Sequence, residues 1–280
     1  MNNMIPKLII VPFNGHDHKL SIIEYAFNLA ILYNAHTEIW YITPGLQTAF
    51  IPYAPYGMPA YSEHTLATLK KRQKNNMKMA EKKFQHLKKT MGIEKATFHT
   101  ASGNESHLLA IRGRVADLTL LYRDKKNPDF MSQAHDVLFG SGHPVLFLPP
   151  ENKIKKFNGK ILIAWNGSVE ATHSVAFSLP WLLQGKVSIL AKQDNGEQKY
   201  PLSAKDLAHY LEHHNIETNI LPDTSKQEDL ATFILSSAKK IDAEIIVMGA
   251  YGHSRFRENI FGGVTRSMLE SADMPVFMMH

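Results

Sequence analysis

Short apolar runs alternate along this chain with longer segments whose apolar positions recur every three or four residues, and in the second half the alternation can be read element by element. Strands are predicted near Ile161 to Trp165, Val187 to Ala191, Glu217 to Leu221, Glu244 to Met248 and Val276 to Met279. Helices are predicted between them, near Val169 to Leu183, Ser203 to His214, Glu228 to Lys240 and Val264 to Ser271. Strands this short and apolar are buried on both faces, which calls for a parallel sheet covered by helices on either side. The predicted unit is α/β, a five-stranded doubly wound sheet.

The first half repeats it. Lys7 to Gly15 (KLIIVPFNG) matches Lys160 to Gly167 (KILIAWNG), Ala116 to Tyr122 matches Ala243 to Gly249, and Pro144 to Leu148 matches Pro275 to Met279, all in the same order. Two tandem units are therefore expected, over 1–150 and 158–280, joined by the polar, proline-led segment Pro149 to Asn158. The first unit carries an insertion, 43–61, whose four prolines among aromatic residues rule out regular helix or strand. A lid or partner-binding flap is one reading of it, and packing across the junction between units is the favoured one.

Composition narrows the class. With 280 residues, 44% apolar and 20% charged, the chain is globular, and no stretch has the roughly 18 to 20 apolar residues of a membrane helix. The absence of cysteine excludes disulfides, thiolate catalysis and cysteine-based zinc sites, and fits a cytoplasmic location. Much of the net charge of +5 lies in Lys70 to Lys89, where Leu66, Leu69, Met77, Ala80, Phe84, Leu87 and Met91 form a helical stripe with lysines on the other faces. A solvated face is the better reading of those lysines than a nucleic-acid or membrane surface, because no aromatic residues are interleaved with them on the lysine faces.

Candidate chemistry concentrates in Met248 to Leu269, MGAYGHSRFRENIFGGVTRSML. Gly249, Gly252, Gly262 and Gly263 lie between a strand and a helix start, where glycine admits close backbone approach and the free N–H groups of a first helical turn face an anion. Arg255, Arg257 and Arg266 add positive charge, and a protonated His253 could meet a phosphate oxygen. In an open α/β sheet the ligand lies outside the carboxyl ends of the strands where their order reverses, so the loop after the first strand also counts. There Asn166 could recognise an adenine edge or a ribose hydroxyl, and Ser168 reads as a helix N-cap. The first half offers no such loop. Tyr122 and Arg123 stand where Gly249 and Ala250 stand, only 22 positions separate Tyr122 from Pro144 against 26 from Gly249 to Pro275, and Gly140-Ser141-Gly142 reads as the turn into the last strand.

The spacing G-x-x-G-x9-G followed by Gly263-Val264-Thr265, on a unit opening with strand-Asn-Gly-Ser, resembles the universal stress protein family, in its tandem two-domain bacterial form. The resemblance covers the second half nearly end to end and the first half in its strands. It implies the adenine nucleotide alpha hydrolase-like fold, strand order 3-2-1-4-5, and the binding of ATP or AMP, with Mg as companion, in a stress-response role without established turnover. By the family pattern Ala164, Trp165 and Asn166 line base and ribose, and Met248, Gly249, Gly252, Gly262, Gly263, Val264 and Thr265 surround ribose and phosphates. Two departures stand out: Asn166 replaces the usual acid, and Gly263 the usual serine, leaving Thr265 as the remaining hydroxyl. The family commonly pairs units through their last strands, so Val145 to Leu148 is expected beside Val276 to Met279 as an intramolecular pseudo-dimer, with a protein partner and a further homodimer left open.

Catalytic motifs are missing. The sequence has neither a G-x-x-x-x-G-K-[ST] loop nor the S-G-G-x-D-S type loop of adenylating enzymes with a similar fold. A ligand-free scaffold and a slow ATPase are the alternatives. His16-Asp17-His18 and His213-His214 lack a third metal ligand in sequence. Asp242 and Glu244, at the start of the fourth strand, read as solvent-facing helix-end charges.

Overall fold

The apolar runs of both halves become the central strands of one sheet. The computed structural model describes residues 5–16, 19–45, 63–124, 127–149, 159–191, 202–224, 229–251 and 263–280. In the first half the order is β1 (Leu8–Pro12), α1 (Leu20–Tyr33), β2 (His36–Thr43), α2 (Glu63–Thr90), β3 (Ala96–Ser102), α3 (Glu105–Gly113), β4 (Leu118–Tyr122), α4 (Phe130–Ser141) and β5 (Val145–Leu148). The second half repeats it as β6 (Lys160–Trp165), α5 (Val169–Leu182), β7 (Lys186–Ala191), α6 (Ala204–Glu212), β8 (Thr218–Ile220), α7 (Leu230–Lys240), β9 (Ile245–Gly249), α8 (Gly263–Ser271) and β10 (Val276–Met279).

Both halves have the expected 3-2-1-4-5 order, and they fuse into a single ten-stranded sheet, β3-β2-β1-β4-β5-β10-β9-β6-β7-β8. Pairing is parallel within each half. Across the junction β5 and β10 run antiparallel, with Val276 opposite Phe147 and Met278 opposite Val145. The two last strands therefore do lie side by side, and the carboxyl ends of β4 and β9 open at opposite ends of the sheet.

Helices cover both faces, and each apolar layer crosses the junction. One layer joins α1, α2, α5 and α6, with Phe27, Phe84, Val175 and Leu211 in it, and the other joins α3, α4, α7 and α8, with Leu109, Val137, Ile234 and Met268. Tyr33 of α1 meets the Trp181 ring of α5 edge-on at 5.1 Å. In α2 the predicted stripe turns inward, with Ala80 and Phe84 buried, while Lys70, Lys71, Lys74, Lys78 and Lys82 are exposed. Among the described residues no helix is long and apolar enough to cross a membrane.

Two local readings are corrected. Gly140 and Ser141 are not a turn but the last two residues of α4, and only Gly142, at φ +65°, makes the left-handed exit. Gly140 is small because a Cβ there would press on the Cβ of Ala110, where α3 and α4 pack closely. Glu244 is not a solvent-facing helix-end charge. It is half-buried and accepts from the Lys160 amide at 3.3 Å, as Asp117 accepts from the Lys7 and Leu8 amides at 2.7 and 2.8 Å. In both halves an acid before the fourth strand caps the start of the first.

Candidate functional site

β6 lies at the strand-order reversal of the second half, with β7 on one side and β9 on the other. Its carboxyl end brings Ala164 directly opposite Met248. Beyond it the chain turns at once into α5: Asn166 Oδ1 accepts from the Ser168 amide at 3.1 Å, Gly167 adopts φ +73°, and Ser168 Oγ accepts from the Ala171 amide at 3.2 Å as the N-cap. The sequence reading of Ser168 as a cap is what the structure shows. Asn166 itself remains exposed at the carboxyl end of β6.

The Trp165 indole belongs to the core. It is buried in the layer under α5 and α6, and its Nε1 donates to the Leu202 carbonyl at 3.2 Å. Met248 is buried and Ala164 half-buried. Gly249 closes β9 against the first turn of α5, where an added Cβ would overlap the Ala171 amide. That approach also lets Ser174 of α5 reach the sheet, its buried Oγ donating to the Met248 carbonyl at 2.8 Å and accepting from the Met279 amide at 2.9 Å. The sequence reading missed Ser174, because a serine inside an apolar helix carries no sign of its partners.

After β9 the chain leaves through Tyr251 at φ +68°. The Tyr251 amide donates to Thr265 Oγ1 at 3.4 Å, so the buried threonine is tied to the strand exit. Gly263 opens α8 in an exposed position, with no atom of the described residues near where a Cβ would stand, and Val264 is half-buried beside it. The structure thus brings Ala164, Asn166, Met248, Gly249, Val264 and Thr265 to the carboxyl ends of β6 and β9. Gly252, His253 and Gly262, with Arg255 and Arg257, lie outside the described residues, as does nearly all of the 43–61 insertion.

The first half fills the equivalent place with its own side chains. Four more residues separate β1 from α1 than separate β6 from α5, and the room is taken by Tyr122, with the Lys19 ammonium 5.9 Å from its ring centroid and 3.4 Å from Asp124. Gln133 donates to Glu105 at 2.9 Å. Burial pushes the Glu105 carboxyl above its ordinary range, against the Gln133 hydrogen bond and the Lys19 charge, which pull it down. Beside Tyr122, Lys19 and Gln133 the cavity is about 20 Å³, roughly the room one water needs, while a second cavity of about 230 Å³, lined by Ile42, Pro44, Gly103 and Asn104, also borders Glu105. Among the described residues no group of three or more histidine and acidic side chains could hold a metal ion.

Residues 171–280 match the model of the universal stress protein family. Solved structures extend the likeness to the whole chain. A universal stress protein from Archaeoglobus fulgidus is similar over 96% of this chain and 97% of its own, with a TM-score of 0.68 at 14% identity. A protein of unknown function from Pseudomonas aeruginosa is similar over 100% of this chain and 94% of its own, with a TM-score of 0.57 at 14% identity. No curated protein matches the sequence. At these identities the structural likeness establishes the fold, which is that of the universal stress proteins.

Proposed function

We propose, for a chain whose residues 171–280 form a universal stress protein domain, that it binds one adenine nucleotide, ATP or AMP with Mg as companion, in the unit 158–280, and that occupancy regulates a protein partner in the cytoplasm without turnover. The unit 1–150 serves as support. The observation that carries this reading is the pairing of Ala164 with Met248 at the carboxyl ends of β6 and β9, with the start of α8 at Gly263, Val264 and Thr265 tied to the same end through the Tyr251 amide. In that reading Asn166 meets the ribose, and Gly249, Gly252, His253, Gly262 and Gly263 surround the phosphates mainly through backbone donors. The side chains of Tyr122, Lys19 and Gln133 at the equivalent place in the first half support a single site per chain.

The test is titration calorimetry of the full chain with ATP and AMP, beside Gly263→Glu. Glutamate meets no atom of the described residues there at its Cβ and suits a helix N-terminus, so the variant is expected to keep its fold while its carboxylate repels phosphate. Saturable binding by the wild type that Gly263→Glu abolishes is the expected result. No binding by the wild type would sink the reading and favour a ligand-free scaffold. Phosphate release that is lost in Gly263→Glu would instead make the protein a slow ATPase.

A further inference from the structure

Arg123 and Ala250 hold the same place in the two halves. The Arg123 amide donates to the Leu148 carbonyl at 3.0 Å, and the Ala250 amide donates to the Met279 carbonyl at 3.0 Å. Where the second half has a methyl group, the first has a guanidinium, and it is 2% exposed. An arginine buried this deeply is stable only if its donors are satisfied. Its Nε donates to the Leu148 carbonyl at 3.3 Å, Nη1 to the Met268 and Leu269 carbonyls at 3.2 and 3.3 Å, and Nη2 to the Ala272 and Met274 carbonyls at 2.5 and 3.1 Å. Burial lowers its pKa to about 10, with the Asp273 charge opposing the fall, so the group is a cation at neutral pH.

Four of those five carbonyls belong to the end of α8 and the turn into β10. The last carbonyls of a helix lack partners within it, and a cation there opposes the negative end of its dipole. Arg123 therefore caps a helix of the other half, about 150 residues away in sequence, from the place where its own half would otherwise have opened a ligand crevice. α8 has nine residues, which makes it roughly 13 Å long, and its opposite end carries Gly263, Val264 and Thr265. One short helix thus connects the arginine of the first half to the phosphate side of the proposed site.

We infer that Arg123 is a positioning residue for the phosphate end of the nucleotide site: it clamps the carboxyl end of α8 and so fixes where the amino end meets the ligand. The inference rests on the nucleotide reading above. It explains why the first half keeps a sheet without a phosphate loop. The coupling is reciprocal, so bound phosphate must also tighten the clamp.

The test is calorimetric titration of the full chain, wild type, Arg123→Met and Arg123→Lys, with ATP and with adenosine. A clamp acting through α8 affects the phosphates and spares the nucleoside. Arg123→Met is expected to weaken ATP about tenfold or more while changing adenosine less than about twofold. Arg123→Lys keeps the charge but reaches fewer carbonyls, and should fall between; if the methionine variant does not fold, the lysine variant carries the comparison. Hydrogen exchange supplies a second readout: ATP should slow exchange of the 269–274 amides in the wild type and not in Arg123→Met. Equal losses for ATP and adenosine, or no loss for either, would overturn the clamp and leave the nucleotide reading standing. A wild type that binds neither ligand would overturn both.

Discussion

Gly249 and Ala171 touch backbone to backbone, leaving no space for a side chain between the end of β9 and the first turn of α5. The glycine is required by this packing before any ligand is considered. In the first half Tyr122 occupies the same register position, opposite Leu148 as Gly249 is opposite Met279, because α1 starts later after its strand than α5 does. Gly249→Ala should therefore destabilise the ligand-free protein by about 2 to 3 kcal/mol, as overpacking against immovable backbone does. Urea denaturation without nucleotide measures it. Unchanged stability with impaired ATP binding would contradict the packing account.

The Ser174 hydroxyl serves two strands at once, and neither group it meets has water in reach. Ser174→Ala leaves the Met248 carbonyl and the Met279 amide without that partner, at about 2 to 3 kcal/mol for the pair. The loss should appear as a lower urea midpoint with an unchanged slope, since the surface exposed on unfolding stays the same.

Element order was legible because it follows from period and burial, whereas the strand order and the pairing of the last strands came from the family resemblance. The predicted strand at Val276 to Met279 matches β10 residue for residue, and the helix at Val169 to Leu183 ends one residue early. The cap at Ser168 was equally legible, since its bond spans three residues. Arg123 was visible only as a mismatch with Ala250 in the repeat, and its partners at Met268 to Met274 are set by the antiparallel junction, which sequence spacing does not encode. Gly140 was misread for a related reason. Glycine marks a turn or a close approach with the same letter, and only the position of Ala110 distinguishes them.

Glu105 gives the first half a pH signature. Its folded pKa is raised above the ordinary 4.5 chiefly by burial, so the folded state holds that proton more tightly than the unfolded chain. Stability from this group is fully present below the ordinary value and is lost as pH rises through the raised one. Glu105→Gln removes the ionisation and keeps a partner for Gln133. The variant should match the wild type near pH 4 and exceed it in stability at pH 7, measured by urea denaturation at both values. A wild type that is the more stable at pH 7 would refute the burial argument.

Asn166 already accepts the Ser168 amide through Oδ1, so Asn166→Asp keeps the turn and adds a charge just before the amino end of α5. Fold stability should hold or rise by about 0.5 kcal/mol. In the proposed site the carboxylate accepts from ribose hydroxyls more strongly than an amide does. ATP should bind several-fold more tightly, and a 2′,3′-dideoxy analogue should show no such gain. An equal gain for both would move Asn166 away from the ribose.

Trp181 bridges the halves on the face opposite Arg123. Its buried ring meets Tyr33 of α1 at 5.1 Å and Phe277 of β10 at 5.4 Å. Trp181→Ala should cost about 3 to 5 kcal/mol, as loss of a large core aromatic does, and the cost falls on the contact between halves. Of the three tryptophans, the variant leaves Trp40 in β2 and Trp165 in β6, one in each half. Changing either one to phenylalanine then leaves a fluorescence reporter of a single half. With Trp181 present, the shared sheet and the two layers crossing the junction make unfolding one transition, and circular dichroism should follow the tryptophan signal. In Trp181→Ala the two reporters should separate along the urea axis. Coincident transitions in that variant would mean that the β5–β10 pairing and Arg123 bind the halves together without the ring.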